Sequence, residues 1–159
     1  RGNLRDVLDD DSQALKSMGT TQVVDCTHAQ NQLLAGTAAG MSYLHGLNPC
    51  ILHQDLKTSN ILVFLEGRSG TPDVVPKLSD FGLSAGPCVK LVEALSSTRS
   101  MTGICQGAGT FAYQAPELFD AEPHFGNQED KLTYYMRSEV YAYGIVCWEV
   151  LTGDRPWLG

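Results

Sequence analysis

The sequence predicts an α+β chain that is mostly helical and carries one small β-hairpin. Residues 27–45 place Leu33, Leu34, Thr37, Met41 and Leu44 near helical spacing. Residues 137–151 gather Val140, Tyr143, Gly144, Val146, Cys147, Val150 and Leu151 around a second helix. Two short β-like runs, 61–65 and 77–79, flank a segment rich in turn formers (66–73), which reads as a hairpin with a lengthened loop.

Composition narrows the function classes. At 159 residues the chain can form one domain and bury roughly two thirds of its unfolded surface. With 43% hydrophobic and 18% charged residues it is expected to be an ordinary soluble globular protein. No apolar run approaches the ~18 residues of a membrane span. The formal charge of −7 argues against a broad contact with nucleic acid or an anionic membrane. Cys26, Cys50, Cys88, Cys105 and Cys147 are scattered without metal-ligand spacing and are read as reduced intracellular thiols. The opening residues, Arg-Gly-Asn-Leu-Arg-Asp, are neither a signal nor a transit peptide. Without an initiator Met, the chain is expected to be cut from something longer.

In chain order, residues 2–8 read as a turn into a short helix with Leu4, Val7 and Leu8 on one face. Asp9, Asp10 and Asp11 read as a solvated loop or helix end, and residues 12–26 are weakly patterned. Thr27 or Asp25 is the expected cap of the next helix, and Gly46, Asn48 and Pro49 end it. Its small residues Ala35, Ala38, Ala39 and Gly40 suit close packing against another helix. Residues 51–52 form a brief extended piece before the loop that begins at His53. Residues 83–114 show no sustained period, and a loop of that length is usually functional or disordered. Order restarts at 115–119, and a polar insertion near 120–130 precedes the last helix. That helix is apolar over most of its circumference and is expected to be largely buried. Thr152-Gly153 stops it, followed by Pro156.

The chemistry concentrates in His53-Gln54-Asp55-Leu56-Lys57-Thr58-Ser59-Asn60, with Ser79-Asp80-Phe81-Gly82 twenty residues on. Each residue has an ordinary reading by itself. An Asp or Asn in a loop is commonly a turn or cap residue, and Lys57 alone is a solvated charge. The hairpin, however, brings Asp80 into the same small region as Asn60.

The order His-x-Asp-x-Lys-x-x-Asn (53–60), Asp-Phe-Gly (80–82), Gly-Thr-x-x-Tyr-x-Ala-Pro-Glu (109–117) and Ser-x-Val-Tyr-x-x-Gly (138–144) resembles the eukaryotic protein kinases. The resemblance covers essentially the whole chain and implies a protein-kinase-like fold, here the C-terminal lobe with its small hairpin. The glycine-rich loop, the strand lysine and its partner glutamate would precede Arg1. The implied activity is transfer of the ATP γ-phosphoryl group to protein Ser/Thr hydroxyls, with ATP and Mg²⁺ required. Asp55 resembles the residue that orients the substrate hydroxyl and accepts its proton, and Lys57 the one that neutralises the moving phosphoryl group. Asn60 and Asp80 match the two magnesium ligands. Leu62 matches the apolar floor under adenine, and Thr110 the residue that braces Asp55 and Lys57. His53 and Phe81 are carried over as packing residues only.

Lys57 and the 109–117 segment are similar to serine/threonine kinases. Residues 47–53 and 140–149 look like the tyrosine-kinase-like group. The implied location is cytoplasmic, or the cytoplasmic side of a membrane for a receptor parent. The 159 residues alone are expected to lack activity. A pseudokinase or scaffold is the rival reading, against which intact Asp55, Lys57, Asn60 and Asp80 weigh, and a small-molecule phosphotransferase ranks below it. The pattern departs from the family in enlarged loops near 66–76, 84–108 and 120–130. It departs also at Glu139, where the family has Asp, so that Glu139→Asp is expected to leave stability unchanged or raise it. The last departure is Gln54, where most kinases have Arg. Neutral Gln lacks the charge-assisted bond to an activation-loop phosphate. Combined alanine substitution of Ser96, Ser97, Thr98, Ser100 and Thr102 is therefore expected to leave phosphotransfer by the full-length protein in place. A loss that phosphomimics restore would refute this.

Overall fold

The computed structural model describes residues 2–9, 26–67, 73–81, 111–119 and 124–157. The chain begins with a two-residue strand, β1 (Gly2–Asn3), and a short helix, α1 (Leu4–Asp9). Asn3 starts α1 by a reciprocal pair: its Oδ1 accepts from the Asp6 N–H at 2.9 Å, and Asp6 Oδ2 accepts from the Asn3 N–H at 3.4 Å. This satisfies two backbone donors that the first helical turn leaves open. Leu4 and Val7 are buried beneath it.

Helix α2 (Cys26–His45) begins one residue before the expected cap Thr27, which lies in its first turn; Asp25 falls outside the described residues. Ala29, Leu33, Thr37, Met41 and Leu44 form its buried stripe. Strand β2 (Ile61–Glu66) pairs antiparallel with both β1 and β3 (Asp73–Leu78), giving the order β1-β2-β3. The hairpin is as expected, but β3 starts at Asp73. Part of the segment read as an enlarged loop near 66–76 is therefore strand.

The small residues of α2 serve a different neighbour from the one expected. Ala35 and Ala39 are exposed. Gly36 and Gly40 face β3, where a Cβ on Gly36 would stand 2.5 Å from Pro76 Cγ and one on Gly40 3.0 Å from Leu78 Cδ1. The close approach is helix to strand. Gln32 reinforces it, donating to Asp73 Oδ1 at 2.8 Å and accepting from the Val74 N–H at 2.9 Å.

Helix α3 (Gln128–Thr152) starts nine residues before the expected 137, so the end of the polar insertion is its first turn. Asn127 caps it by accepting from the Asp130 N–H at 2.8 Å. Gly153 ends it in the left-handed region at φ 79°, its N–H reaching the Glu149 carbonyl at 2.8 Å. Burial of α3 is one-sided. Ser138, Glu139, Ala142, Val146, Glu149 and Val150 are buried, while Val140, Trp148 and Leu151 are exposed. The buried stripe at helical spacing meets the core, and apolar composition elsewhere does not compel burial.

One core joins α1, α2, the sheet and α3 through Leu4, Leu33, Ile61, Val63 and Val146. A smaller cluster sets Cys50 and Leu52 against Leu132, Tyr135 and Met136, fixing the chain just before His53 on the first half of α3. Pro76 is a rigid ring against Gly36. Overpacking there costs about 1–3 kcal/mol, more than the ~1 kcal/mol of helix propensity that Ala gains over Gly. Gly36→Ala in the full-length protein is thus expected to lower the urea midpoint of unfolding.

Candidate active site

The residues from His53 to Asn60 form a loop that closes in a 3-10 turn, Thr58–Asn60, and runs directly into β2. The turn is sealed by the Asn60 N–H, which donates to the Lys57 carbonyl at 3.0 Å. It folds the loop back on itself, so residues five apart in sequence touch. Asn60 Nδ2 donates to the Asp55 carbonyl at 2.8 Å and to Asp55 Oδ2 at 2.9 Å. Lys57 Nζ meets the same Oδ2 at 2.6 Å. Asp55 and Asn60 are buried, so their polar groups depend on these partners. Acid, base and amide share one oxygen, which fixes the carboxylate plane.

The second carboxylate is placed by the hairpin. Ile61 pairs with Leu78, and just beyond that pair the Ser79 N–H and Oγ both donate to the Asn60 carbonyl, at 2.9 and 3.0 Å. Asp80 follows Ser79 at φ 60°, exposed, two residues beyond the last strand pair. A non-glycine residue in this region costs roughly 1–2 kcal/mol, and such residues gather where a site needs a side chain aimed a particular way. His53 is fully buried. Its Nε2 lies 3.0 Å from the Ser79 carbonyl, which can only accept, so the ring proton sits on Nε2 and Nδ1 accepts from the Asp55 N–H at 3.4 Å. Its ring packs 5.1 Å from that of Phe81. His53 ties the two halves of the site together as a packing residue, as the sequence reading has it.

The donor set suits Mg²⁺. Asn60 turns its amide nitrogen toward Asp55, which directs its carbonyl oxygen the other way, and Asp80 adds an exposed carboxylate. Among the described residues no three His, Cys, Asp or Glu side chains cluster as a closed metal cage. One amide and one carboxylate oxygen, with water and phosphate oxygens completing the shell, is the arrangement Mg²⁺ accepts. Leu62 is partly exposed on the outer face of the sheet, between Asn3 and Lys77 in register. Thr110, Gly82 and the five Ser/Thr positions from 96 to 102 lie outside the described residues.

The two departures read from the sequence, Gln54 and Glu139, meet in the structure, and Tyr113 and Glu149 add a contact that spacing does not single out. Gln54 stands at φ 67°, and its N–H donates to Glu139 Oε1 at 2.5 Å. The other oxygen, Oε2, meets His45 Nε2 at 2.6 Å. Glu139 therefore spans from the end of α2 to the strained residue before Asp55. Tyr113 places its hydroxyl 3.1 Å from Thr58 Oγ1 and donates to Glu149 Oε2 at 2.5 Å. Burial first, and then the Glu149 carboxylate, push the Tyr113 hydroxyl up to about 12. Tyr113 and Glu149 fall within segments that carry the family resemblance, but nothing in their spacing shows that they meet.

The two contacts of Glu139 change the expectation for Glu139→Asp. A side chain one methylene shorter reaches one partner and not both, and a buried group left without its bond costs about 1–3 kcal/mol. Glu139→Asp is now expected to lower the melting temperature of the full-length protein, and Glu139→Ala to lower it further.

Comparison with known proteins identifies the family. The family model for the protein kinase domain matches residues 6–159. Receptor-interacting serine/threonine-protein kinase 3 of Rattus norvegicus is 38% identical over 122 residues, covering 77% of this chain and 21% of that protein. Receptor-interacting serine/threonine-protein kinase 2 of Bos taurus is 35% identical over 125 residues, covering 79% of this chain and 20% of that protein. Dual specificity protein kinase splA of Dictyostelium discoideum is 37% identical over 135 residues, covering 81% of this chain and 5% of that protein. The chain thus spans about a fifth or less of the length of these curated relatives. With serine/threonine kinases among its relatives and a family match over nearly its full length, the chain belongs to the protein kinase domain family.

Proposed function

We propose that the protein carrying this chain transfers the γ-phosphoryl group of ATP to Ser and Thr hydroxyls of other proteins. The observation that carries the reading is the shared Asp55 Oδ2, held by Lys57 Nζ at 2.6 Å and Asn60 Nδ2 at 2.9 Å. Both partners bind one carboxylate oxygen, which leaves Oδ1 to orient a substrate hydroxyl and take its proton as the new O–P bond forms. Lys57 is close enough to leave Asp55 for the moving phosphoryl group, whose charge it offsets. Asn60 and Asp80 would hold Mg²⁺, which when bound draws the phosphate oxygens together and neutralises them. Leu62 offers an apolar surface to the adenine ring, and Thr110 is proposed to brace Asp55 and Lys57 from the substrate side.

On this reading residues 1–159 are the central part of a catalytic lobe, working at a cytoplasmic site. Gln54 supports control that does not run through an activation-loop phosphate, because a neutral amide pairs weakly with a phosphate dianion. The matched relatives include receptor-interacting serine/threonine kinases, which favours Ser/Thr over Tyr acceptors.

The test is phosphate transfer from labelled ATP to Ser-, Thr- and Tyr-containing peptides by the full-length protein with Mg²⁺. Transfer to Ser or Thr is expected, with Asp55→Asn lowering kcat by about 10²- to 10⁴-fold while nucleotide affinity holds. Nucleotide binding without any transfer would overturn the reading in favour of a pseudokinase or scaffold.

A further inference from the structure

Arg5 lies far from Asp55 in sequence, yet a chain of hydrogen bonds, charge-assisted at its Arg5 end, leads from one toward the other. Its guanidinium reaches into the C-terminal end of α3, where Nη1 meets Glu149 Oε1 at 2.8 Å and Nη2 donates to the Gly153 carbonyl at 3.3 Å. A cation at this end of a helix is favoured by the unpaired carbonyls there. Glu149 is fully buried, so its carboxylate depends on that cation as a partner.

The carboxylate fixes the direction of everything beyond it. An ionised Glu149 can only accept, so the Tyr113 O–H donates to Oε2. The Tyr113 oxygen must then accept from the hydroxyl of Thr58, itself fully buried. Thr58 follows Lys57 and opens the turn that delivers Asn60. The same Arg5 Nη2 also meets Asp9 Oδ1 at 2.7 Å. Asp9 is in turn bonded by Arg155, whose hydrogen bond holds the Asp9 carboxyl below its usual range. Arg5 is thus itself held in place from the solvent side.

We propose that Arg5 is a positioning residue for phosphoryl transfer: acting through Glu149 and Tyr113, it locks Thr58 and so sets the Lys57–Asn60 turn. This rests on the kinase reading above. It assigns the helix next to β1 a part in the chemistry that no contact with nucleotide or substrate provides. The ordering is charge-driven. Removing the cation takes away one partner of the buried Glu149 carboxylate and frees it to swing away, which releases Tyr113 from its role as donor. The Thr58 hydroxyl then loses Tyr113 as a fixed acceptor.

The experiment compares Arg5→Gln, Arg5→Lys, Tyr113→Phe and the double variant Arg5→Gln/Tyr113→Phe in the full-length protein. Steady-state kinetics and backbone amide exchange over residues 57–60 are read for each. Tyr113→Phe keeps the ring and removes only the hydroxyl, so it serves if Arg5→Gln fails to fold. Expected are a kcat about tenfold lower in Arg5→Gln and in Tyr113→Phe, a size in line with couplings in bonded networks. KM for ATP should stay within about twofold, because the ground-state nucleotide contacts are untouched. The double variant should be no worse than the worse single, Arg5→Lys should recover most of the loss, and amide protection at 57–60 should fall in parallel. Multiplying kcat effects, or unchanged kcat with a lowered melting temperature, would overturn the proposal and leave Arg5 a purely structural residue. If the wild type transfers no phosphate, the kinase reading fails separately. Exchange at 57–60 then still decides the coupling, and protection unaltered by Tyr113→Phe would overturn it.

Discussion

A negative charge buried in the middle of a helix has to be satisfied, and the way Glu139 is satisfied gives the site its shape. One oxygen meets His45 at the end of α2 and the other takes the Gln54 N–H. Gln54 stands in a backbone region that L-residues avoid, and the bond to Glu139 offsets that strain. Without it the chain between His53 and Asp55 would relax toward an ordinary conformation and turn the Asp55 side chain elsewhere. The Asp55 contacts with Lys57 and Asn60, and the seating of Ser79 on Asn60, all come after this bend in the chain. The protein thus places a strained residue beside a buried carboxylate, and each makes the other tolerable.

The site is also built from pieces that stabilise one another across long sequence separations. The loop 53–60 is clamped from below by α3, from the side by the hairpin through Ser79, and from the substrate-facing segment by Tyr113. Hydrogen bonds in such a network are worth more together than apart, since each fixes the geometry the next requires. The buried His53 is the hinge point of this arrangement. Its two ring nitrogens serve the Ser79 carbonyl and the Asp55 N–H, so one side chain keeps the spacing between the halves.

Much of this was readable in the sequence, because local chemistry dictates it. The period of α2 follows Leu33, Thr37, Met41 and Leu44, and the hairpin follows from turn formers between β-like runs. The meeting of Asp55, Lys57 and Asn60 follows from the loop, and the place of Asp80 just past Ser79 follows from the hairpin. What could not be read depends on tertiary partners. Strand β1 is two residues long and exists only because β2 offers an edge. The face of α2 that meets β3 was misassigned, since small residues announce a close approach but not the identity of the neighbour. The early start of α3 rests on Asn127, a cap hidden within a polar stretch that resembles any other loop. Burial of α3 was overestimated because hydrophobic residues mark what can be covered, not what is. Arg5 and Glu149 are separated by most of the chain, and no period or spacing connects them.

The contact between Gly36 and Pro76 has a mechanical side. No side chain intervenes between α2 and β3 at that point, and a proline ring has no torsion by which to yield. The helix and the strand that leads to Asp80 therefore move as one piece, with Gln32 bolting their far end to Asp73 and Val74. Any bending of the domain has to occur elsewhere. The carboxylate at the end of that strand works from a fixed anvil, and any stroke has to be delivered by the parts that meet it.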